Sequence, residues 1–237
     1  MLERDFAQVV AEGRALQRQF SELGLVAVGG TSVALHCGHR ISLDVDEVTP
    51  RLQDCYQDIV SALERWEDWT TLRLNPPVLI LGERHSVELG LRQQRRSVRL
   101  RTTEIEGLVV PTLAEALRIK AFLLAERRAT RDYVDVAALV QRFGQSAALD
   151  ALALLNLLYP SRGPQTLTTR FAEACESEPL DLAAIPLSSY KSLKAPFTEW
   201  DFVASVCQRL GRELLKLELQ NALPQRFGEE FREEAGL

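Results

Sequence analysis

The sequence predicts an α+β fold, with a mixed sheet and its helices over residues 1–110 and a helical part over 111–237. Three observations carry this. Short β-like runs crowd the stretch from "LVAV" at 25–28 to "GLVV" at 107–110. From Thr112 onward apolar residues recur at helical spacing instead. The change coincides with "TLAE", a capping box of Thr112 with Glu115 three residues on, which opens a long helix.

Residues 2–22 read as one amphipathic helix with Phe6, Val9, Val10, Leu16 and Phe20 on its inner stripe. "LVAV" reads as a short buried strand, ended by Gly29-Gly30-Thr31, where Thr31 can cap a helix. "DVDEV" is the next strand and Pro50 stops it; "LQDCYQDIVSALERW" is a helix. "TTLRL", "PVLILG", "HSVELGL" and "SVRLRTTEIEGLVV" follow as strand-like runs. After the capping box, helical periodicity holds to about Phe143, with a break near Ala129-Thr130. "SAALDALALLNLLY", "TLTTRFAEACES" and "WDFVASVCQRLGRELLKLEL" give further helices, separated by Pro160, Gly163-Pro164, Pro179 and Pro186. The tail "GEEFREEAGL" reads as a solvated helix end.

Composition narrows the function classes. With 46% hydrophobic and 26% charged residues the chain reads as an ordinary soluble globule. No apolar run is long enough to cross a membrane, and the N-terminus lacks the apolar core of a signal peptide. Cys37, Cys55, Cys175 and Cys207 are scattered without a CxxC pair, which suggests neither a zinc ribbon nor a disulfide framework. The expectation is a cytoplasmic protein with no membrane partner. A net charge of −5 argues against a general nucleic-acid coat. Even so, "RQQRRSVRLR" gathers Arg92, Arg95, Arg96, Arg99 and Arg101 in ten residues. That run reads either as a solvated hairpin or as a local anion site.

Two groups of residues could carry chemistry. Asp44 and Asp46 stand at i and i+2 of a strand, a setting that disfavours Asp, and so share one face. Two like charges that close need something positive between them, either bulk water at an exposed strand end or a metal ion. Glu88, in "HSVELGL", turns away from the core while Val87 and Leu89 face it, and joins Asp44 and Asp46 as a candidate for one site. Hard divalent cations such as Mg²⁺ take one or two carboxylates plus substrate phosphates. Gly29-Gly30, at a strand-to-helix turn, would let a triphosphate approach backbone N–H groups. His36 and His39 stand three apart, but no fourth zinc ligand has suitable spacing. The second group, in "RIKAFLLAERRATRDYVDV", is Lys120, Arg127, Arg131, Asp132 and Asp135. One reading is a solvated charged face with i,i+4 pairs such as Arg128 with Asp132. The other has Lys120 meeting a triphosphate while Arg131 and Asp132 pair to hold the helix corner.

Taken together, "GGTSVALHCGHRISLDVD", then Lys120, Arg127 and "RDYVD", resemble the AbiEii-type nucleotidyltransferase toxin family, over roughly residues 20–145. That family's pattern is a glycine pair, Gly-His-Arg before Asp-x-Asp, then a helix with Lys and Arg leading into Arg/Lys-Asp-x-x-Asp. The resemblance implies a nucleotidyltransferase-like N-terminal sheet and a Mg²⁺- or Mn²⁺-dependent transfer from a nucleoside triphosphate. The implied acceptor is RNA, such as a tRNA 3′ end, and the implied partner is an antitoxin protein. It implies Asp44 and Asp46 as metal ligands. Gly29, Gly30 and Thr31 would shape the phosphate turn, and Lys120 would contact the nucleotide, with Arg131 beside it. Asp132 would be a further site residue and Asp135 a structural one. Glu88 fits the third carboxylate by strand position and would be the base for the acceptor hydroxyl. Beside such a cleft, Arg95, Arg96 and Arg99 become an acceptor-binding ridge. Two positions depart from the pattern. Leu43 replaces a small polar or acidic residue, and Glu47 replaces a large apolar one; facing away from Asp44 and Asp46, Glu47 marks a solvated strand end. Two other readings share the site: a non-catalytic nucleotide-binding protein of the same fold, and an enzyme modifying a small molecule.

Overall fold

The structure, a computed structural model, describes residues 4–96, 98–161 and 163–226. The acidic tail expected as a helix end lies outside these residues. The chain divides into two compact units, Met1–Thr112 and Leu113–Leu237.

The first unit is built on a five-stranded sheet in the order β1-β2-β5-β4-β3. The strands are β1 (Val26–Val28), β2 (Asp44–Thr49), β3 (Trp69–Asn75), β4 (Leu79–Arg84) and β5 (Val87–Gln93). Only the β2/β5 pair is parallel; the other neighbours run antiparallel, so the sheet is mixed. Helix α1 (Arg4–Gln19) buries Phe6, Val9, Val10 and Leu16, and α3 (Tyr56–Leu63) buries Tyr56, Ile59, Val60 and Leu63. Both faces join one core with Val45, Ile80, Leu89 and Leu91 from the strands. Helix α2 (Gly29–Cys37) links β1 to β2, and β6 (Thr102–Ile105) pairs with β7 (Leu108–Pro111) as a separate hairpin.

Burial alternates strictly along β2: Val45, Glu47 and Thr49 are buried and Asp44, Asp46 and Val48 are half-buried. Period-2 geometry therefore sends the two aspartates away from the core. Glu47 does face opposite to them, but the expected solvated strand end is not there: Glu47 is 0% exposed. Gln17 of α1 donates to its Oε2 at 3.1 Å and also bonds the backbone N–H and C=O of Val109 in β7. Burial pushes the Glu47 carboxyl well above the ordinary carboxylate range; the Gln17 bond only partly offsets that, and the charge of Asp46 adds to it.

The run "SVRLR" is not a strand, and its Ser97 lies outside the described residues. Gln94 donates to the carbonyls of Arg96 and Val98, and the Arg96 guanidinium donates to those of Val98 and Arg99. Side chains thus take the acceptors that a neighbouring strand would use.

The second unit is helical: α4 (Leu113–Arg127), α5 (Thr130–Phe143), α6 (Gln145–Leu152), α7 (Leu155–Leu158), α8 (Leu167–Cys175) and α9 (Trp200–Leu219). Leu117, Leu124, Tyr133, Val136, Leu139, Phe171, Val203 and Leu210 are fully buried in it. The break after α4 falls where Arg128 turns left-handed (φ 45°). The next helix then starts on Thr130, whose N–H and hydroxyl both donate to Asp181 at 2.7 Å. No helix among the described residues is long and apolar enough to cross a membrane.

Candidate active site

The open face of the sheet holds the first group. Asp44 of β2 stands in parallel register with Glu88 of β5, and Asp46 with Gly90. Register neighbours share a face, so Asp44, Asp46 and Glu88 all point away from the core, with Glu88 exposed between buried Val87 and Leu89. Gly90 makes room for the acid beside it, since a Cβ there would fall 2.5 Å from Asp46 Oδ1. Gly29 approaches the same carboxylate from the other side, its Cβ position lying 3.6 Å from Asp46 Oδ2. Asp46 is thus flanked by two residues without side chains.

Helix α2 begins on Gly29 itself, at φ +73°, a backbone conformation that favours glycine. Thr31 is therefore not the cap: Val28 is the N-cap residue, and no side chain caps the helix. The Thr31 hydroxyl instead donates to the backbone oxygen of Asp44, tying the helix to β2. The first-turn N–H groups have no acceptor inside a helix. Gly30 packs against Arg40 and Ser42, each within 2.7 Å of where its Cβ would stand. Ser42 donates to Asp44 Oδ1 at 2.8 Å, which orients that carboxylate.

The positive partner of Asp46 is Arg92, whose Nε donates to Oδ1 at 2.7 Å. Among the described residues, no group of three or more His, Cys, Asp or Glu side chains is gathered to hold a metal. The donor set that fits a hard cation is the Asp44–Asp46 pair, two carboxylates on one face with substrate oxygens to complete the shell. Arg95 and Arg99 are exposed, whereas Arg96 is buried and organises their loop.

The second group lies wholly in the helical unit, and it is not a solvated face. Lys120 is 2% exposed, and its Nζ bonds Asp132 at 3.1 Å and Asp135 at 2.7 Å. Arg127 adds a two-pronged contact to Asp132, Nε at 2.6 Å and Nη2 at 3.0 Å. It is therefore Lys120 and Arg127, rather than Arg128 or Arg131, that hold Asp132; Arg131 is exposed. Burial alone would raise the Asp132 carboxyl, but the Lys120 charge and the Arg127 bond outweigh it and hold the group below its ordinary value.

Solved structures share this fold. MenT4, a nucleotidyltransferase toxin of Mycobacterium tuberculosis, matches over 98% of this chain and 91% of its own, with a TM-score of 0.59 at 15% identity. JHP933 of Helicobacter pylori matches over 95% of this chain and 100% of its own, with a TM-score of 0.56 at 14% identity. A candidate nucleotidyltransferase of H. pylori matches over 91% and 99%, with a TM-score of 0.55 at 14% identity. The chain therefore has a nucleotidyltransferase fold, as the sequence resemblance implied. No family model matches the sequence, and no curated protein matches it.

Proposed function

We propose that this chain is a nucleotidyltransferase that moves a nucleotidyl group from a nucleoside triphosphate to an acceptor hydroxyl. The observation that carries the reading is the half-exposed Asp44–Asp46 pair in register with Glu88, at the start of a glycine-led helix in this fold. Mg²⁺ or Mn²⁺ held by Asp44 and Asp46 would supply charge neutralisation at the transferred and leaving phosphates. The N–H groups at Gly29, Gly30 and Thr31 bind phosphate oxygens. Glu88 takes the proton of the acceptor hydroxyl as its oxygen bonds the α-phosphorus; the bond to the β-phosphate breaks and pyrophosphate leaves. Arg131, exposed near the start of α5, is proposed as a nucleotide contact by the resemblance, whereas Lys120, buried against Asp132 and Asp135, is proposed to hold the corner between α4 and α5 rather than to reach a phosphate. The acceptor is RNA, bound through Arg95 and Arg99 on the loop that Arg96 pins, and the setting is a cytoplasmic toxin restrained by an antitoxin. The nucleotidyltransferase toxin among the fold's relatives supports the toxin part of this reading.

Incubation with each α-labelled nucleoside triphosphate, Mg²⁺ and total RNA should give labelled RNA and free pyrophosphate. Labelling that persists when Arg95 and Arg99 are both changed to Glu, at physiological salt, would rule out the ridge as the acceptor site. The Asp46–Arg92 ion pair favours one other reading, a nucleotide-binding protein that does not turn over. Triphosphate binding without pyrophosphate release would establish it.

A further inference from the structure

We infer that Arg92 is the resident cation of the Asp46 site, leaving it when the metal enters and closing instead on the triphosphate. The inference rests on the reading of Asp44 and Asp46 as metal ligands and adds to it how metal and nucleotide depend on each other.

Three features of Arg92 carry it. Its register partners are Val48 of β2 and Leu79 of β4, yet its guanidinium reaches back along the strand to Asp46, two residues away across the register. The empty side-chain position at Gly90 leaves that path open. The contact is one-pronged: Nε meets Oδ1 at 2.7 Å, and the two terminal nitrogens have no hydrogen-bond partner among the described residues. A guanidinium with its fork free is built for a planar or tetrahedral oxyanion. Finally, the pair is open to water, with side chains 44% and 30% exposed, so it can exchange in a way that a buried pair cannot.

A divalent ion entering alone has to displace Arg92 and leaves that charge without an anion. When the ion arrives with a triphosphate, the released guanidinium gains phosphate oxygens. Metal and nucleotide therefore bind with positive coupling, and Arg92 is the element that both of them bias.

Mn²⁺ binding followed by electron paramagnetic resonance tests this independently of transfer. Wild type, Arg92→Gln, Arg92→Lys and Asp46→Asn are titrated with and without a triphosphate carrying a non-transferable α,β-methylene link. Without nucleotide, Arg92→Gln should bind Mn²⁺ about fivefold more tightly than wild type, roughly the strength of an exposed ion pair. Arg92→Lys, which keeps the charge, should stay near wild type. With the analogue, Mn²⁺ affinity should rise in wild type and rise far less in Arg92→Gln. Equal Mn²⁺ affinities for wild type and Arg92→Gln, or an unchanged coupling to the analogue, would overturn the inference while leaving the metal site standing. Failure of either protein to bind Mn²⁺ in a way that Asp46→Asn abolishes would instead remove the metal reading, and this inference with it.

Discussion

Asp44 and Asp46 in β2, and Asp132 and Asp135 in α5, are both aspartate pairs spaced to share a face of their element, and both are met by cationic side chains. In the strand pair, one carboxylate takes a hydroxyl, the other takes one prong of an exposed arginine, and both are half open to water. In the helix pair both acids are 0% exposed and draw on Lys120, with Arg127 added on one of them. Solvent makes the difference. A half-exposed acid can change partners because water meets its charge during the exchange, whereas a buried one is bound to the partner it folded with. Where acids and cations alternate in a sequence, exposure decides which group can do chemistry and which holds the fold.

The largest effect should come from Lys120→Ala. It leaves two buried carboxylates without their shared cation, and denaturant unfolding should show a loss of about 3–5 kcal/mol. A loss below about 1 kcal/mol would mean that the lysine is not needed to hold the acids, leaving it free for a nucleotide. Asp44→Asn and Asp46→Asn should do the reverse, keeping stability within about 1 kcal/mol while cutting transfer by roughly a hundredfold to a thousandfold in the labelling assay. Gly90→Ala should come next. The new methyl displaces a flexible carboxylate rather than backbone, so the melting temperature should hold while transfer drops by roughly tenfold or more.

The smallest effect concerns an acid set that shares traits of both. His85 Nδ1 pairs with buried Glu12 at 2.8 Å, and Nε2 pairs with exposed Asp68 at 3.0 Å, while Arg84 bonds Glu12 as well. The Glu12 hydrogen bond is the chief cause that raises the His85 pKa, against partial burial and the Arg84 charge. The protonated ring therefore contributes stability that is full below the ordinary value of about 6.5 and is lost as pH rises through the raised folded value. Melting temperatures measured between pH 5.5 and 8.5 should fall across that window in wild type, and His85→Gln should flatten the decline.

The period-2 and helical patterns made most elements and the faces of Asp44, Asp46 and Glu88 legible in the sequence. Which strand Glu88 lies beside was not, because a parallel register is set by the packing of distant segments. The same applies to Arg92 over Asp46, 46 residues apart. The burial of Lys120 did leave a local signal: it sits between Leu117 and Leu124 on the apolar stripe of α4, a position that faces inward whatever its charge. Alternation also put Glu47 on the face of Val45, opposite Asp44 and Asp46, but its charge made that position read as a solvated strand end. What no local pattern shows is Gln17, thirty residues earlier, placed to donate to it there.

Glu47 links the folding of the first unit to proton uptake. Burial raises the pKa of this carboxyl well above its value in the unfolded chain, so the folded unit keeps the proton to higher pH than the unfolded chain does. Over the pH range between the two values the heat of folding should therefore vary with the protonation enthalpy of the buffer, a dependence that Glu47→Gln would reduce. Alkali weakens the unit through this residue, and it does so from the face of β2 opposite to the one that would meet substrate.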